Sequence, residues 1–353
     1  MQSKTVKNVL PKQDVELLYQ LYKNRALSTA QIMHIRKLSK WYVYKKLGDL
    51  RKKGYIYTNH IKGNYIIGQT RQGNYHRISN KGIRLLKKNG YIVNRTADEL
   101  RVTTHRLPYL LVGHDLCIRL QDLGWEYTDS RAIKMLKQLN KGDMLHGTLI
   151  NPNGNKEYCI YILLQTIQPN TLKSIKREIM RNPFENILVI ARGLESYQSV
   201  IKSFTDKHSV IKGGSVKVLP FQFAQSYLNI SSDNYGNHKH FLTELGLELL
   251  STPSNKNVFG TNIDFDYLVK HNGEEKYFMD MLDNDLMKLR TIGEYRKERY
   301  KRDGRKVLVL TSNADFHYNF HKEALKHIKH VEFMPISAKQ VVTFATQLSN
   351  KKG

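Results

Sequence analysis

Two runs of four apolar residues constrain the fold of this chain more than any other feature of its sequence. Ile187-Leu188-Val189-Ile190 and Val307-Leu308-Val309-Leu310 have the length and the β-branched content of strands that are fully buried. Segments with helical hydrophobic periodicity flank both runs. This alternation predicts a mixed α/β region after the first hundred residues.

The elements around the two runs follow the same order, which is helix, two-stranded hairpin, helix, buried strand, helix and strand. Around the first run they are predicted near 107–123, 145–150, 158–164, 171–181, 187–190, 195–205 and 216–219. Around the second they are predicted near 239–250, 264–269, 277–281, 286–302, 307–310, 317–328 and 331–334. We therefore predict one α/β unit used twice. The alternative is a single larger sheet that contains both sets of strands.

This order is also the layout of the restriction-endonuclease-like core, whose active members hold a divalent metal with acids on the hairpin strands. In the second unit the candidate catalytic residues are Asp264, Asp266 and Asp280, and Asp264 with Asp280 are the candidate metal ligands. The lysine expected two residues after Asp280 is replaced by Leu282. We therefore predict degenerate units, with no cofactor unless an active nuclease binds Mg²⁺ or Mn²⁺.

The first unit lacks the ligand pattern even more clearly, because the apolar run Cys159-Ile160-Tyr161 stands where acids are needed and only Asp143 and Glu157 lie nearby. In the second unit Asp283 and Asp285 follow the hairpin. We expect them to cap the next helix rather than to bind metal, because acids favour helix N-termini.

Positive charge is concentrated at the N-terminal end of the chain. The 353 residues carry 57 Lys and Arg against 31 Asp and Glu, and residues 1–100 alone hold 21 against 5. Dense positive charge favours a polyanion such as nucleic acid, because binding to phosphates releases condensed counterions. We therefore expect a nucleic-acid interface in this region.

Residues 1–95 have the pattern of a winged helix-turn-helix of the α+β class. Helices are predicted at 14–24, after Ser28, over 41–54 with Ser39 as cap, and after Ser79. The third helix has Val43, Leu47 and Leu50 on its inward face. Between it and the last helix, residues 55–58, 65–67 and 75–78 are predicted strands that form a basic wing.

The predicted DNA contacts lie on the third helix and on the wing. Helix residues of this kind reach phosphates and base edges in the major groove, and wing residues reach the minor groove or the backbone. The set comprises Ser39, Lys40, Trp41, Tyr44, Lys45, Arg51, Lys52, Lys62, Arg71, Gln72, Asn74 and Arg77.

Several segments together resemble the replication-relaxation proteins of Gram-positive plasmids and mobile elements. The segments are LSTAQI, VYKKLGDLRKKGYI, YHRISNKGIRLL, the tripeptide HDL at 114–116, and IDFDYLV with YFMDMLDND. The resemblance implies a winged helix joined to a nuclease-like domain, and a role in plasmid replication or DNA relaxation. It agrees with predicted domains at 1–95, 105–230 and 236–350.

Other classes of protein fit the sequence less well. Its apolar runs are shorter than the roughly 18–20 residues of a membrane span, and we expect a cytoplasmic protein without a secretory signal. Cys117 and Cys159 are expected to be buried thiols. The sequence lacks a GxxxxGK[ST] loop, and the pair His317/His321 is expected to be solvent-facing rather than metal-binding. His238-Lys239-His240 is the one HxH segment to test as the histidine cluster of a relaxase with a tyrosine nucleophile.

The leading hypothesis is a sequence-specific binder of double-stranded DNA that initiates replication of a plasmid or phage. A metal-dependent nickase and a transcriptional regulator are the alternatives. Double-stranded DNA is the expected partner, a homodimer and contacts with host replication proteins are further possibilities, and no membrane partner is expected.

Overall fold

The structure is a computed structural model that describes residues 10–61, 73–205, 214–231, 236–250 and 263–351. The chain divides into two compact units, Met1–Ile118 and Arg119–Gly353. The described residues form 14 helices and three sheets, so the mixed α/β class is confirmed. In these ranges no helix is both long enough and apolar enough to cross a membrane.

Unit 1 contains helices around a small antiparallel sheet with strand order β1-β3-β2. Its helices are α1 (Lys12–Asn24), α2 (Thr29–Arg36), α3 (Lys40–Lys52), α4 (Asn80–Lys88) and α5 (Leu107–Gln121), of which α5 includes the boundary between the units. Its strands are β1 (Leu27–Ser28), β2 (Ile56–His60) and β3 (Asn74–Ile78).

Polar caps position two of these helices. Ser28 and Gln31 form a reciprocal capping box at the start of α2, and the Ser79 hydroxyl accepts a hydrogen bond from the Gly82 amide at the start of α4. Ser39 precedes α3 as expected, but its side chain makes no capping bond to a described residue. The predicted inward stripe of α3, Val43, Leu47 and Leu50, is buried in the core of unit 1.

Unit 2 contains two five-stranded sheets. The first sheet and its helices comprise β4 (Glu126–Asp129), α6 (Ser130–Leu136), β5 (Gly147–Ile150), β6 (Glu157–Leu163), α7 (Pro169–Arg181), β7 (Asn186–Ala191), α8 (Leu194–Thr205), β8 (Ser215–Pro220) and α9 (Phe221–Ile230). The second comprises α10 (Gly236–Glu244), β9 (Glu248–Leu249), β10 (Tyr267–His271), β11 (Glu274–Asp280), α11 (Leu286–Glu294), α12 (Lys297–Asp303), β12 (Lys306–Ser312), α13 (Asp315–Leu325), β13 (Val331–Ile336) and α14 (Ala338–Lys351).

The two sheets have the same strand order and the same strand directions. The first has the order β4-β5-β6-β7-β8 and the second β9-β10-β11-β12-β13. In each, the first three strands are antiparallel and the last three are parallel. The predicted runs 187–190 and 307–310 are the central parallel strands β7 and β12. The strands therefore form two matching sheets rather than one larger sheet.

Two predicted helices differ from the structure. The helix expected over 239–250 ends at Glu244, because Gly246 adopts a left-handed conformation with φ of +79° before β9 begins. The helix expected over 286–302 is divided into α11 and α12. Tyr295 lies between them with ψ of 71°, and its buried hydroxyl hydrogen-bonds Asp303 and the Arg305 carbonyl.

The two cysteines are buried, as expected from the sequence. Burial raises the pKa of both thiols well above the usual value, because a thiolate is poorly stabilised away from water. Neither is a candidate nucleophile.

Candidate nucleic-acid interface and acidic cluster

Six of the predicted DNA contacts form one exposed surface on α3, which we call the α3 face. Its residues are Lys40, Trp41, Tyr44, Lys45, Arg51 and Lys52. At about 100° per residue they occupy roughly 140° of the helix circumference, and the centre of this arc lies about 120° from the centre of the buried stripe. The predicted contact Ser39 is also exposed and immediately precedes this face.

Two aromatic side chains lie among the four basic side chains of the α3 face. Trp41 is 70% exposed and Tyr44 49%, which is unusual for large rings in a folded protein. The Lys45 ammonium lies 5.2 Å from the centre of the Trp41 ring, a cation–π distance. An exposed surface of this composition is suited to stacking and phosphate contacts.

The cations of this face differ from the neighbouring Lys46. Lys46 is directed toward α1 and binds the buried carboxylate of Asp14 at 3.0 Å. None of the four cations of the α3 face forms an ion pair with a described residue, so their charge is directed to solvent. Lys46 therefore stabilises the packing of α3 on α1, whereas the lysines of the α3 face are exposed to solvent.

The β2–β3 pair adds a third exposed aromatic ring to the two on α3. Tyr57 on β2 is 48% exposed, and the predicted contact Arg77 on β3 lies over its ring at 5.6 Å. Asn74 begins β3 opposite His60 and is half-buried. The predicted contacts Lys62, Arg71 and Gln72 lie outside the described residues, as does the predicted strand at 65–67.

The HDL segment contributes to the packing of unit 1. His114 is buried and its Nδ1 donates a hydrogen bond to the Ala26 carbonyl, while Asp115 accepts one from Gln31 of α2 at 2.7 Å. Burial lowers the pKa of His114 to about 4. Both residues thus fix α5 against the start of α2.

In unit 2 the structure brings together two of the three predicted catalytic acids. The backbone amide of Asp280, at the end of β11, donates to Asp266 Oδ2 at 2.8 Å. Asp266 is half-buried, with 25% of its side chain exposed, and Asp280 is fully buried. Asp264 is exposed on the segment before β10 and has an interaction of its own.

The Asp280 carboxylate is held by donors on the helical side of the sheet. Its Oδ2 accepts from His238 Nε2 at 2.8 Å and from the Tyr227 hydroxyl at 3.0 Å, and its Oδ1 accepts from the Leu282 amide at 2.8 Å. Burial opposes ionisation of Asp280, but His238 and Lys288 outweigh it and lower the pKa. Both oxygens of this carboxylate are therefore engaged.

Two lysines neutralise the remaining acids. Lys288 on α11 binds Asp266 Oδ2 at 2.7 Å, and Lys217 on β8 lies 2.8 Å from Asp283 Oδ2. Burial disfavours the charge on Asp283, but the two lysines lower its pKa to about 2. We call Asp266, Asp280 and Asp283 with Lys217 and Lys288 the acidic cluster.

Asp285 plays the capping role expected for it. Its Oδ1 accepts from the Met287 amide at the start of α11, and its Oδ2 accepts from the Ser215 hydroxyl of β8 at 2.5 Å. In the first sheet Asp143 is paired with Arg181, and Glu157 lies 3.6 Å from Lys137. The acids of the first sheet are thus held by separate cations.

The metal expected for an active restriction-endonuclease-like unit does not fit these residues. Asp280 directs its carboxylate to Tyr227 and His238, and the ammonium group of Lys288 already binds the Asp266 carboxylate. Among the described residues, no group of three or more His, Cys, Asp or Glu side chains is arranged to hold a metal ion.

The histidine pair on α13 is buried, contrary to the expected solvent-facing position. His321 Nε2 donates to Asn284 Oδ1, and His321 Nδ1 accepts from the Thr311 hydroxyl. Asn284 Nδ2 in turn donates to the Tyr197 hydroxyl. The Tyr197 hydroxyl donates to His317 Nδ1. Burial lowers the pKa of His317 to about 4 and that of His321 to about 3. At these pKa values both rings are neutral near pH 7, which fits this chain of bonds.

The HxH segment on α10 separates into two environments. His238 is buried against Asp280 and Tyr267, whereas His240 is exposed and lies 3.4 Å from Glu244.

No family model, curated protein or solved structure matches this chain.

Several residues beside the α3 face and in the acidic cluster were not predicted from the sequence. Tyr57 was predicted only as part of a strand, although its alternation with the buried Ile56 indicates an outward ring. Lys288 lies in the first turn of α11, where a cation is unfavourable next to the helix dipole and therefore indicates an acidic partner. Lys217, Tyr227 and His238 carry no comparable signal, because tertiary packing alone brings them to the cluster.

Proposed function

We propose that the chain is a sequence-specific binder of double-stranded DNA whose unit 1 is a winged helix that reads the major groove with α3. The α3 face carries this proposal. It combines four solvent-directed cations with two exposed rings on the helix that follows a short turn after α2. The excess of positive charge in residues 1–100 supports it further.

The resemblance of the N-terminal motifs to replication-relaxation proteins supports a role in the replication of a plasmid or mobile element. In this proposal unit 1 selects origin repeats, and unit 2 is a pair of restriction-endonuclease-like units that serve as a non-catalytic platform. The matching strand order of the two sheets supports their origin as one unit used twice. A transcriptional regulator would have the same DNA contacts, and plasmid maintenance in cells separates the two roles.

Single-residue variants of the α3 face test the DNA-binding proposal. We expect Lys45→Ala and Arg51→Ala to weaken binding to a selected duplex. A lost phosphate contact lowers affinity for all sequences and reduces the salt slope by about 1, whereas a lost base contact costs about 1–3 kcal/mol at one position. Lys88→Ala on α4 is the control, because it removes the same charge from an exposed site on another helix.

Fluorescence anisotropy across a series of salt concentrations measures both quantities. If Lys45→Ala and Arg51→Ala bind as tightly as Lys88→Ala, the α3 face is not the DNA interface.

A metal-dependent nickase is the second candidate function. Asp266 and Asp280 are the acids that such chemistry would use. Asp266, however, contacts the backbone amide of Asp280, and the Asp280 carboxylate is held by Tyr227 and His238, so the geometry argues against this candidate. A nicking assay with Mg²⁺ or Mn²⁺ on bound DNA, with Asp266→Asn as the inactive control, tests this candidate. Metal-dependent nicking that is lost in Asp266→Asn would make the chain an enzyme.

A further inference from the structure

The surroundings of Lys288 resemble those of a bound cation. Its ammonium donates to Asp266 Oδ2 at 2.7 Å and to the Asp280 carbonyl oxygen at 2.9 Å, and Asp283 Oδ2 lies 3.8 Å away. Two carboxylates and one backbone carbonyl are oxygen ligands of the kind that hard divalent cations select. Here the three oxygens surround the Lys288 ammonium group instead of a metal ion.

The position of Lys288 in α11 is unfavourable without these oxygens. Asp285 caps the helix, so Lys288 lies in the first turn, where the helix dipole disfavours a positive charge. Its side chain is only 21% exposed, and burial further disfavours the ammonium. The carboxylates of Asp266 and Asp283 outweigh both effects and keep the pKa of Lys288 well above its usual value.

The other members of the cluster match this arrangement. Asp280 presents its carbonyl to Lys288 but directs its carboxylate to Tyr227 and His238, so that carboxylate is not available to a cation beside Lys288. Lys217 adds a second positive charge on Asp283. A divalent ion entering the cluster would have to displace one ammonium and approach another.

We propose that the Lys288 ammonium takes the place of a divalent cation in the acidic cluster, so that unit 2 keeps the charge balance of a metal site without binding a metal. This inference concerns unit 2 alone and does not depend on DNA binding by unit 1. It predicts that removal of the ammonium leaves a set of oxygens able to bind a hard cation.

Binding of Mn²⁺ to the full-length protein tests the proposal without DNA. Binding is measured as the loss of the electron paramagnetic resonance signal of aqueous Mn²⁺. We expect wild type to leave the signal unchanged. We expect Lys288→Met to take up one equivalent with a dissociation constant about tenfold or more below that of wild type, since ligand charge and number set the affinity. Adding Asp266→Asn to Lys288→Met is expected to abolish this uptake.

Lys276→Met is the matched control. Lys276 is also a buried lysine between two carboxylates, at 2.7 Å from Glu332 and 3.2 Å from Glu274, but Glu332 keeps Lys306 as a second partner. We expect this variant to behave as wild type does.

Two results obtained with folded protein would overturn the proposal. One is uptake of an equivalent of Mn²⁺ by wild type that is lost in Asp266→Asn, which would show that metal displaces Lys288. The other is a folded Lys288→Met protein without uptake. If Lys288→Met is unfolded without metal, Mn²⁺ is expected to restore its circular dichroism spectrum and thermal transition, and failure to do so would also contradict the proposal.

Discussion

The buried histidine His76 makes unit 1 sensitive to acid. His76 lies between Thr29 and Thr58, with a hydroxyl at 3.0 Å from each ring nitrogen. Burial lowers its pKa to about 4, and the nearby charge of Arg51 contributes in the same direction. Arg51 belongs to the α3 face, so protonation of His76 would place a second charge behind that surface.

The stability of unit 1 should therefore depend on pH. Because the folded pKa of His76 is below the unfolded value of 6.5, the unfolded chain binds the extra proton first. The contribution of neutral His76 to the free energy of unfolding is complete above pH 6.5 and declines as the pH falls toward about 4. The total loss for this one group is roughly 3 kcal/mol.

His76→Gln removes the titration but keeps hydrogen-bonding capacity. Urea unfolding of unit 1 at several pH values should show a smaller loss of stability for this variant between pH 6.5 and 4. Equal pH dependence for wild type and variant would mean that His76 is not held neutral.

The acids Asp266 and Asp280 could be predicted from the sequence, but the lysine that binds Asp266 could not. Asp266 and Asp280 follow from strand alternation and hairpin spacing, and they do meet in the structure. Lys288 is separated from Asp266 by 22 residues and belongs to another element. The contact depends on how α11 packs, which no local pattern encodes.

At the scale of the element, α3 has a glycine in the middle of its exposed surface. Gly48 falls near the centre of the arc defined by the α3 face, at about 100° per residue. A Cβ built there has no neighbouring atom within 4 Å. Glycine in a helix interior costs about 1 kcal/mol relative to alanine, so its presence needs a reason other than packing. Close approach of the helix backbone to DNA is the reason we infer.

Gly48→Ala should therefore change stability and DNA affinity in opposite directions. We expect the free energy of unfolding to rise by about 0.5–1 kcal/mol and the affinity for DNA to fall. Urea unfolding and anisotropy measure the two effects. Gly82→Ala is a useful contrast, because its Cβ would lie 2.6 Å from the Tyr55 carbonyl oxygen and should destabilise unit 1 without any gain. Unchanged or tighter DNA binding by Gly48→Ala would argue against close approach at α3.

The elements with strong hydrophobic patterns were predictable and the others were not. The runs 187–190 and 307–310 gave the central strands β7 and β12, and the capped segments gave α2 and α4. The strands β1 and β9 have only two residues each, and they exist because β3 and β10 supply their hydrogen-bonding partners. The helices α9 and α14 pack against each other across a long sequence separation, as the bond from Asn229 to the Ala345 carbonyl indicates.

At the scale of the whole molecule, polar bonds join the two sheets of unit 2. Lys217 of β8 pairs with Asp283, Ser215 of β8 with Asp285, and Tyr227 of α9 with Asp280. These partners lie on the segment that follows β11 or at its end. The repeated order of elements predicted two similar sheets, but it contained no information on how they contact each other.

The Lys217–Asp283 pair should couple the stability of the two sheets. Lys217→Met leaves a fully buried carboxylate without its nearest cation and should destabilise unit 2 by about 3 kcal/mol. Asp283→Asn should cost a similar amount, and the double variant should cost clearly less than the sum of the two. Urea unfolding of the four proteins provides the cycle. Additive losses would mean that the pair contributes no coupling.

A footprint tests whether unit 1 reads duplex DNA through the α3 face. The full-length protein is bound to the DNA of its own genetic element, with and without Mg²⁺, and both protection and strand breaks are mapped. We expect short protected sites at regular spacing, no metal-dependent breaks, and loss of protection in the triple variant Lys40→Ala, Lys45→Ala, Arg51→Ala. Absence of protection by wild type, or the same protection by the triple variant, would contradict the account.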